Sequence, residues 1–80
     1  MNTYEAVKTR IYELCKEKSI TINKLATLSG LSRSSLKNIL YGKSKNPGIV
    51  TIKIICDGCG ISLPEFFNTD IFKKLEQEIV

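Results

Sequence analysis

Apolar residues recur at helical spacing through most of the chain, and each run opens on a residue suited to capping a helix. Val7, Ile11, Leu14 and Cys15 follow the 3.6-residue period as far as Lys18, behind Asn2 with Glu5 three residues on, a capping-box pattern. Thr21 can cap a second, short helix carrying Leu25, Ala26 and Leu28, and Gly30, free to take a left-handed conformation, can stop it. Ser32 can cap a third with Leu36, Ile39 and Leu40 on one face, ended by Gly42. Two helices of about two turns joined by a tight glycine-containing turn form an αα unit.

Lys43 to Gly48, Lys-Ser-Lys-Asn-Pro-Gly, is a polar, basic loop ending in turn residues. The isoleucine-rich run from Ile49 to Cys56 could be a strand. Its apolar spacing through Ile49, Ile52, Ile55, Cys56 and Cys59, and the shortage of other strand candidates, predict a fourth helix with those residues as its buried stripe. Ser62 with Glu65 is a second capping box, opening a short helix that buries Phe66 and Phe67. Asp70 can cap a last helix with Ile71, Phe72, Leu75 and Ile79 on one face and Lys73, Lys74, Glu76 and Gln77 largely on the others. The expectation is all-α: five helices plus a short C-terminal helix, with no internal repeat and no low-complexity segment.

Eighty residues suffice for one domain with one core. No apolar run is long enough to span a bilayer, and the N-terminus lacks the basic and apolar regions of a secretory signal, so a cytoplasmic protein is expected. An odd count of three cysteines fits that reducing compartment better than a disulfide framework, and there is no histidine to complete a mixed zinc site. Cys56-Asp57-Gly58-Cys59 is a CxxC, yet a four-ligand site needs partners and only Cys15 remains, so neither a metal nor any other cofactor is expected.

Net charge is only +4, but its distribution is uneven. Lys18, Lys24, Arg33, Lys37, Lys43, Lys45 and Lys53 occupy a stretch, from Lys18 through Cys56, that holds no Asp or Glu. Such a basic middle is a solvated surface in many proteins and a nucleic-acid footprint in others. The solvent side of the third helix carries Arg33, Ser34, Lys37 and Asn38, with Ser32 and Ser35 at its start.

As a set, Leu25-Ala26, Gly30-Leu31, Ser32, Leu36 and Ile39, then Gly42 to Pro47 and Gly60-Ile61-Ser62, resemble the lambda and 434 phage repressors and Cro proteins, the XRE-type helix-turn-helix regulators. The resemblance covers about residues 4–68. It implies a repressor-like helix-turn-helix DNA-binding domain over 1–69, leaving 70–80 as an amphipathic helix whose Ile71, Phe72, Leu75 and Ile79 are candidates for dimerisation. Arg33, Ser34, Lys37 and Asn38 would face base edges, the planar fork of Arg33 being suited to O6 and N7 of one guanine. Lys37 fits a phosphate contact equally well. Lys43, Ser44, Lys45 and Asn46 would touch the sugar-phosphate backbone, joined by Thr21, Asn23, Ser32 and Ser35 around two helix N-termini that offer free N–H groups. The family often has glutamine where this chain has Ile22, which cannot hydrogen-bond, and Thr21 or Asn23 is left to take that anchoring role. In the family the positions of Cys56 and Cys59 are core alanine and leucine, which favours buried thiols.

The resemblance thus implies a regulator that reads double-stranded DNA, a palindromic operator, as a homodimer, with the helix from Arg33 to Tyr41 in the major groove. The alternative is an antitoxin-type or adaptor protein of the same fold whose main ligand is a partner protein. An enzyme is not expected: with no histidine, no paired carboxylates in a plausible cleft and no phosphate-cradling glycine loop, no constellation carries chemistry.

Overall fold

A computed structural model describes all eighty residues as five α-helices and no strand: α1 (Thr3–Lys18), α2 (Ile22–Ser29), α3 (Arg33–Leu40), α4 (Ile49–Cys59) and α5 (Leu63–Phe67). The caps expected at Asn2, Thr21, Ser32 and Ser62 all form. The Asn2 side chain accepts from the Glu5 N–H at 2.8 Å while the Glu5 carboxylate accepts from the Asn2 N–H at 3.0 Å, and Ser62 and Glu65 repeat this exchange at 3.2 Å. Thr21 and Ser32 hydroxyls accept from the Lys24 and Ser35 N–H groups, both at 3.0 Å. Each bond satisfies a donor that a helix start leaves without a partner. Gly30 ends α2 at φ +68°, and the Leu31 N–H closes back on the Ala26 carbonyl at 3.0 Å, so α3 departs at a fixed angle.

The core gathers Val7, Ile11, Leu14 and Cys15 from α1, Leu25 and Ala26 from α2, Leu36, Ile39 and Leu40 from α3, Ile52, Ile55, Cys56 and Cys59 from α4, and Phe66. The Ile-rich run is helical, as its spacing required. Phe67, expected buried beside Phe66, is half-buried and packs on the core from outside, and two further residues expected on apolar stripes stand clear of it. Leu28 is about half exposed because the inward face of α2 is Ile22, Leu25, Ala26 and Ser29, and position 28 falls roughly 100° around the helix from its centre. Ile49 is 58% exposed because it opens α4 beyond the edge of the core. The α2–α4 crossing is close: a Cβ at Gly58 would overlap the Ser29 side chain and lie 3.0 Å from the Ser29 backbone nitrogen.

Arg10 is a buried charge that ties α1 to α5. Its Nε donates to the Phe66 carbonyl at 2.8 Å and its Nη2 to the Glu65 carbonyl at 3.1 Å, while Nη1 lies 3.7 Å from the Glu13 carboxylate and 3.6 Å from that of Glu17. Those carbonyls close a five-residue helix and have no intrahelical partner, so a cation there is favoured twice over.

The expected C-terminal helix is absent. Asp70–Phe72 form a single 3₁₀ turn without a side-chain cap, and residues 75–80 form no regular secondary structure. Phe72 packs edge-on against Phe67, with ring centres 4.9 Å apart, and anchors the turn. Beyond it the Glu76 N–H donates to the Met1 carbonyl at 3.2 Å, and the Glu78 carboxylate accepts from the Thr3 N–H at 3.1 Å and the Thr3 hydroxyl at 2.8 Å. An isolated eleven-residue helix is marginal in water, whereas a carboxylate at the start of α1 meets both a free N–H and the positive end of a helix dipole. The competing contacts win, and the periodic stripe is broken up: Ile71, Phe72 and Leu75 are half-buried against their own chain and Ile79 is exposed.

Candidate nucleic-acid interface

The surface of α3 divides cleanly. Leu36, Ile39 and Leu40 are buried, while Arg33, Ser34, Lys37 and Asn38 are exposed on the opposite side. The start of the helix is held by Ser32, whose hydroxyl donates to Ser35 Oγ at 2.8 Å while accepting the Ser35 N–H. Its end is joined to the following loop by the Ser44 N–H, which donates to the Asn38 carbonyl at 2.8 Å.

That loop carries Lys43, Lys45 and Asn46 exposed and Ser44 half-buried. Ser35, Asn38, Ser44 and Asn46 line one shallow cavity of about 250 Å³. Helix α3 and the loop that follows it therefore bring one expected base-reading residue and three expected backbone-contacting residues around a common concavity. Thr21 and Asn23 lie apart from this cavity, exposed at the start of α2, and the Thr21 hydroxyl is engaged as the helix cap. Ile22 is half-buried and packs against the core, so its side chain is turned inward rather than toward a ligand.

None of Arg33, Lys37, Lys43 and Lys45 forms an ion pair within the chain. The absence of Asp and Glu between Glu17 and Asp57 leaves them no partner nearby in sequence, and the fold brings none to them. Lys53 differs: it pairs with Asp57 one turn on along α4. A group of cations without internal counterions holds a positive potential that a polyanion can neutralise.

One residue that touches the reading helix is not among the expected site residues: Tyr4, whose hydroxyl donates to the Ile39 carbonyl at the end of α3. Arg10, also unforeseen, belongs to the scaffold at the α1–α5 seam, and the carboxylates Glu13 and Glu17 at helical spacing were its available signal. Tyr4 stands three residues before Val7, on the same stripe of α1, which already placed it toward the core.

The three cysteines are buried and unbonded. Burial pushes all three thiols up from their ordinary pKa, and Cys59 raises Cys15 and Cys56 further. Thiols so placed are poor nucleophiles and behave as small apolar core residues. No helix of the structure is long and apolar enough to cross a membrane.

The model of the Cro/C1-type helix-turn-helix DNA-binding domain matches residues 10–70. The chain belongs to this family. In solved structures it resembles the prophage Lp1 protein 11, with 37% identity and a TM-score of 0.80 over 94% of this chain and 100% of that one. It also resembles the wild-type restriction-modification controller protein C.Esp1396I, with 26% identity and a TM-score of 0.76 over 94% of this chain and 95% of that one. No curated protein matches the sequence. The matched span takes in α2, α3, α4 and α5, and the family is a DNA-binding type rather than a class of enzyme. The matched residues take in Arg10 and Phe72's neighbours Phe66 and Phe67, but neither Tyr4 nor the chain after Asp70.

Proposed function

We propose that the protein is a sequence-specific regulator of transcription, repressor-like, that lays α3, from Arg33 to Leu40 with Tyr41 as its cap, in the major groove of double-stranded DNA. The observation that carries this reading is the exposed set Arg33, Ser34, Lys37 and Asn38 on a short capped helix, with no intramolecular partner for either cation. Arg33 pairs with a guanine and Asn38 with an adenine, each through two hydrogen bonds. Ser34 and Lys37 complete the set. Lys43, Ser44, Lys45 and Asn46 grip the backbone on one side, and Thr21, Asn23, Ser32 and Ser35 grip it at the starts of α2 and α3.

An eight-residue helix reads only a few base pairs, so the working unit is a homodimer on a palindromic operator with half-sites about 34 Å apart. Of the four tail candidates for the two-fold contact, Phe72 serves its own subunit and Ile79 stands free in solvent. The protein acts in the cytoplasm, where its operator is. Selection of bound duplexes from a random pool tests the reading directly: a palindromic consensus is expected, and a pool that remains random after selection refutes it. A chain ending at Lys74 keeps Phe72 packed against the core and is expected to sediment as a monomer. A truncated chain that still sediments as a dimer moves the two-fold contact off the tail.

A further inference from the structure

We infer that Tyr4 is a positioning residue for base reading: by donating its hydroxyl to the Ile39 carbonyl, it fixes the end of α3 that carries Lys37 and Asn38. The inference rests on α3 being the reading helix.

The last carbonyls of a helix have no partner within it and must find one elsewhere. At the end of α3 the Lys37 carbonyl accepts from the Tyr41 N–H at 2.8 Å and the Asn38 carbonyl from the Ser44 N–H at 2.8 Å. The Ile39 carbonyl accepts from no backbone N–H. Its partner is a phenol thirty-five residues away in sequence, on the first turn of α1. The side chain of Ile39 is itself buried, so its carbonyl cannot freely exchange that partner for bulk water.

The donor end of this link is rigid. The Tyr4 ring is half-buried against the core with the Lys8 ammonium 5.5 Å from its centre. The first turn of α1 is held on one side by the Asn2–Glu5 capping box and on the other by the Glu78 carboxylate on Thr3, the residue next to Tyr4. By contrast α3 is eight residues long. Its start is set by the turn from α2, and Ile39 lies roughly 9 Å further along the axis at 1.5 Å per residue. Arg33 is therefore oriented by the turn, and Lys37 and Asn38 by Tyr4 and Ser44. Bidentate pairing with a base tolerates displacement of only about 0.5 Å, so a link that holds this end in place acts on discrimination more than on folding.

The test is Tyr4→Phe in the full chain, which keeps the ring and removes only the donor. Binding to the selected operator and to a random duplex of equal length is measured at one salt concentration, well below the thermal transition followed by circular dichroism. Loss of one hydrogen bond predicts operator binding weakened about three- to tenfold, with random-duplex binding within about twofold of wild type. Because Tyr4 acts through the end of α3, adding it to Asn38→Ala should weaken operator binding by less than about twofold more. Unchanged operator binding by Tyr4→Phe overturns the inference. Equal weakening on both duplexes does so too, since it marks a phosphate contact or a loss of folded protein, and so does full additivity with Asn38→Ala. If the wild-type chain itself binds operator and random duplex alike, sequence-specific reading is refuted, and with it this role for Tyr4.

Discussion

Arg10 and Arg33 are the only arginines of the chain, and they sit on opposite kinds of surface. Around Arg10, at the seam of α1 and α5, the guanidinium meets two carbonyls, two carboxylates and the Phe66 ring, so its donors are spent within the molecule. Arg33, at the start of α3, makes no side-chain hydrogen bond and no ion pair within the chain, and the side chain is exposed. The guanidinium is the same in both places. What differs is whether the fold supplies the acceptors or leaves them to a ligand, and that difference separates a residue of the scaffold from a residue of the interface.

The contrast can be broken most forcefully at Arg10. Arg10→Ala strips two end-of-helix carbonyls of their donors and opens space over Phe66, and urea unfolding should show a loss of about 2–4 kcal/mol. Its operator affinity, measured on folded protein, should hold. Arg33→Ala should do the reverse: about 1–3 kcal/mol lost at the operator with preference relaxed at one base pair, and stability within about 0.5 kcal/mol of wild type. If Arg33→Ala weakens specific and random duplexes equally, it does not read a base. Lys45→Ala sharpens the interface side. With about five phosphate contacts per subunit, log K should fall with log salt at a slope near −4 to −5 per half-site, and this variant should make it shallower by about 0.9 while affecting all sequences alike.

The smallest effect belongs to the scaffold side. Hydrogen bonds from Thr3 hold the Glu78 carboxyl below its ordinary pKa. A carboxylate lowered on folding adds stability above its unfolded pKa, and that contribution is lost as pH falls through the folded value. Melting temperatures of wild type and Glu78→Gln should therefore differ slightly at neutral pH and converge in acid. A constant offset across that range would mean that Glu78 does not titrate against Thr3.

Much of this division was legible before the fold. The caps at Asn2, Thr21, Ser32 and Ser62 are local, because each depends on residues three positions apart, and all four form as read. The buried face of α3, and that of α4 apart from Ile49, followed from spacing, and the free cations from an acid-free stretch. What escaped was non-local. The tail has a helical stripe in Ile71, Phe72, Leu75 and Ile79, but whether a short stripe coils depends on what it meets, and here Met1 and Thr3 offered better partners than its own backbone. Tyr4 and Arg10 were missed because their roles lie in carbonyls 35 and 56 residues away. Leu28 shows the limit of periodicity from the other side, since a two-turn helix leaves its apolar arc too short to locate the centre of the buried face.

The close crossing at Gly58 bears on how much each position must say. Because a β-carbon there would meet Ser29's backbone as well as its side chain, repacking of rotamers alone cannot make room. In a library randomised at both sites and screened for folding alone, position 58 should return glycine almost without variation. Positions 33, 34, 37 and 38 should drift close to random until an operator is added to the selection. The information that specifies the molecule's shape and the information that specifies its address are thus written in different letters of the same eighty, and the second can be rewritten without disturbing the first.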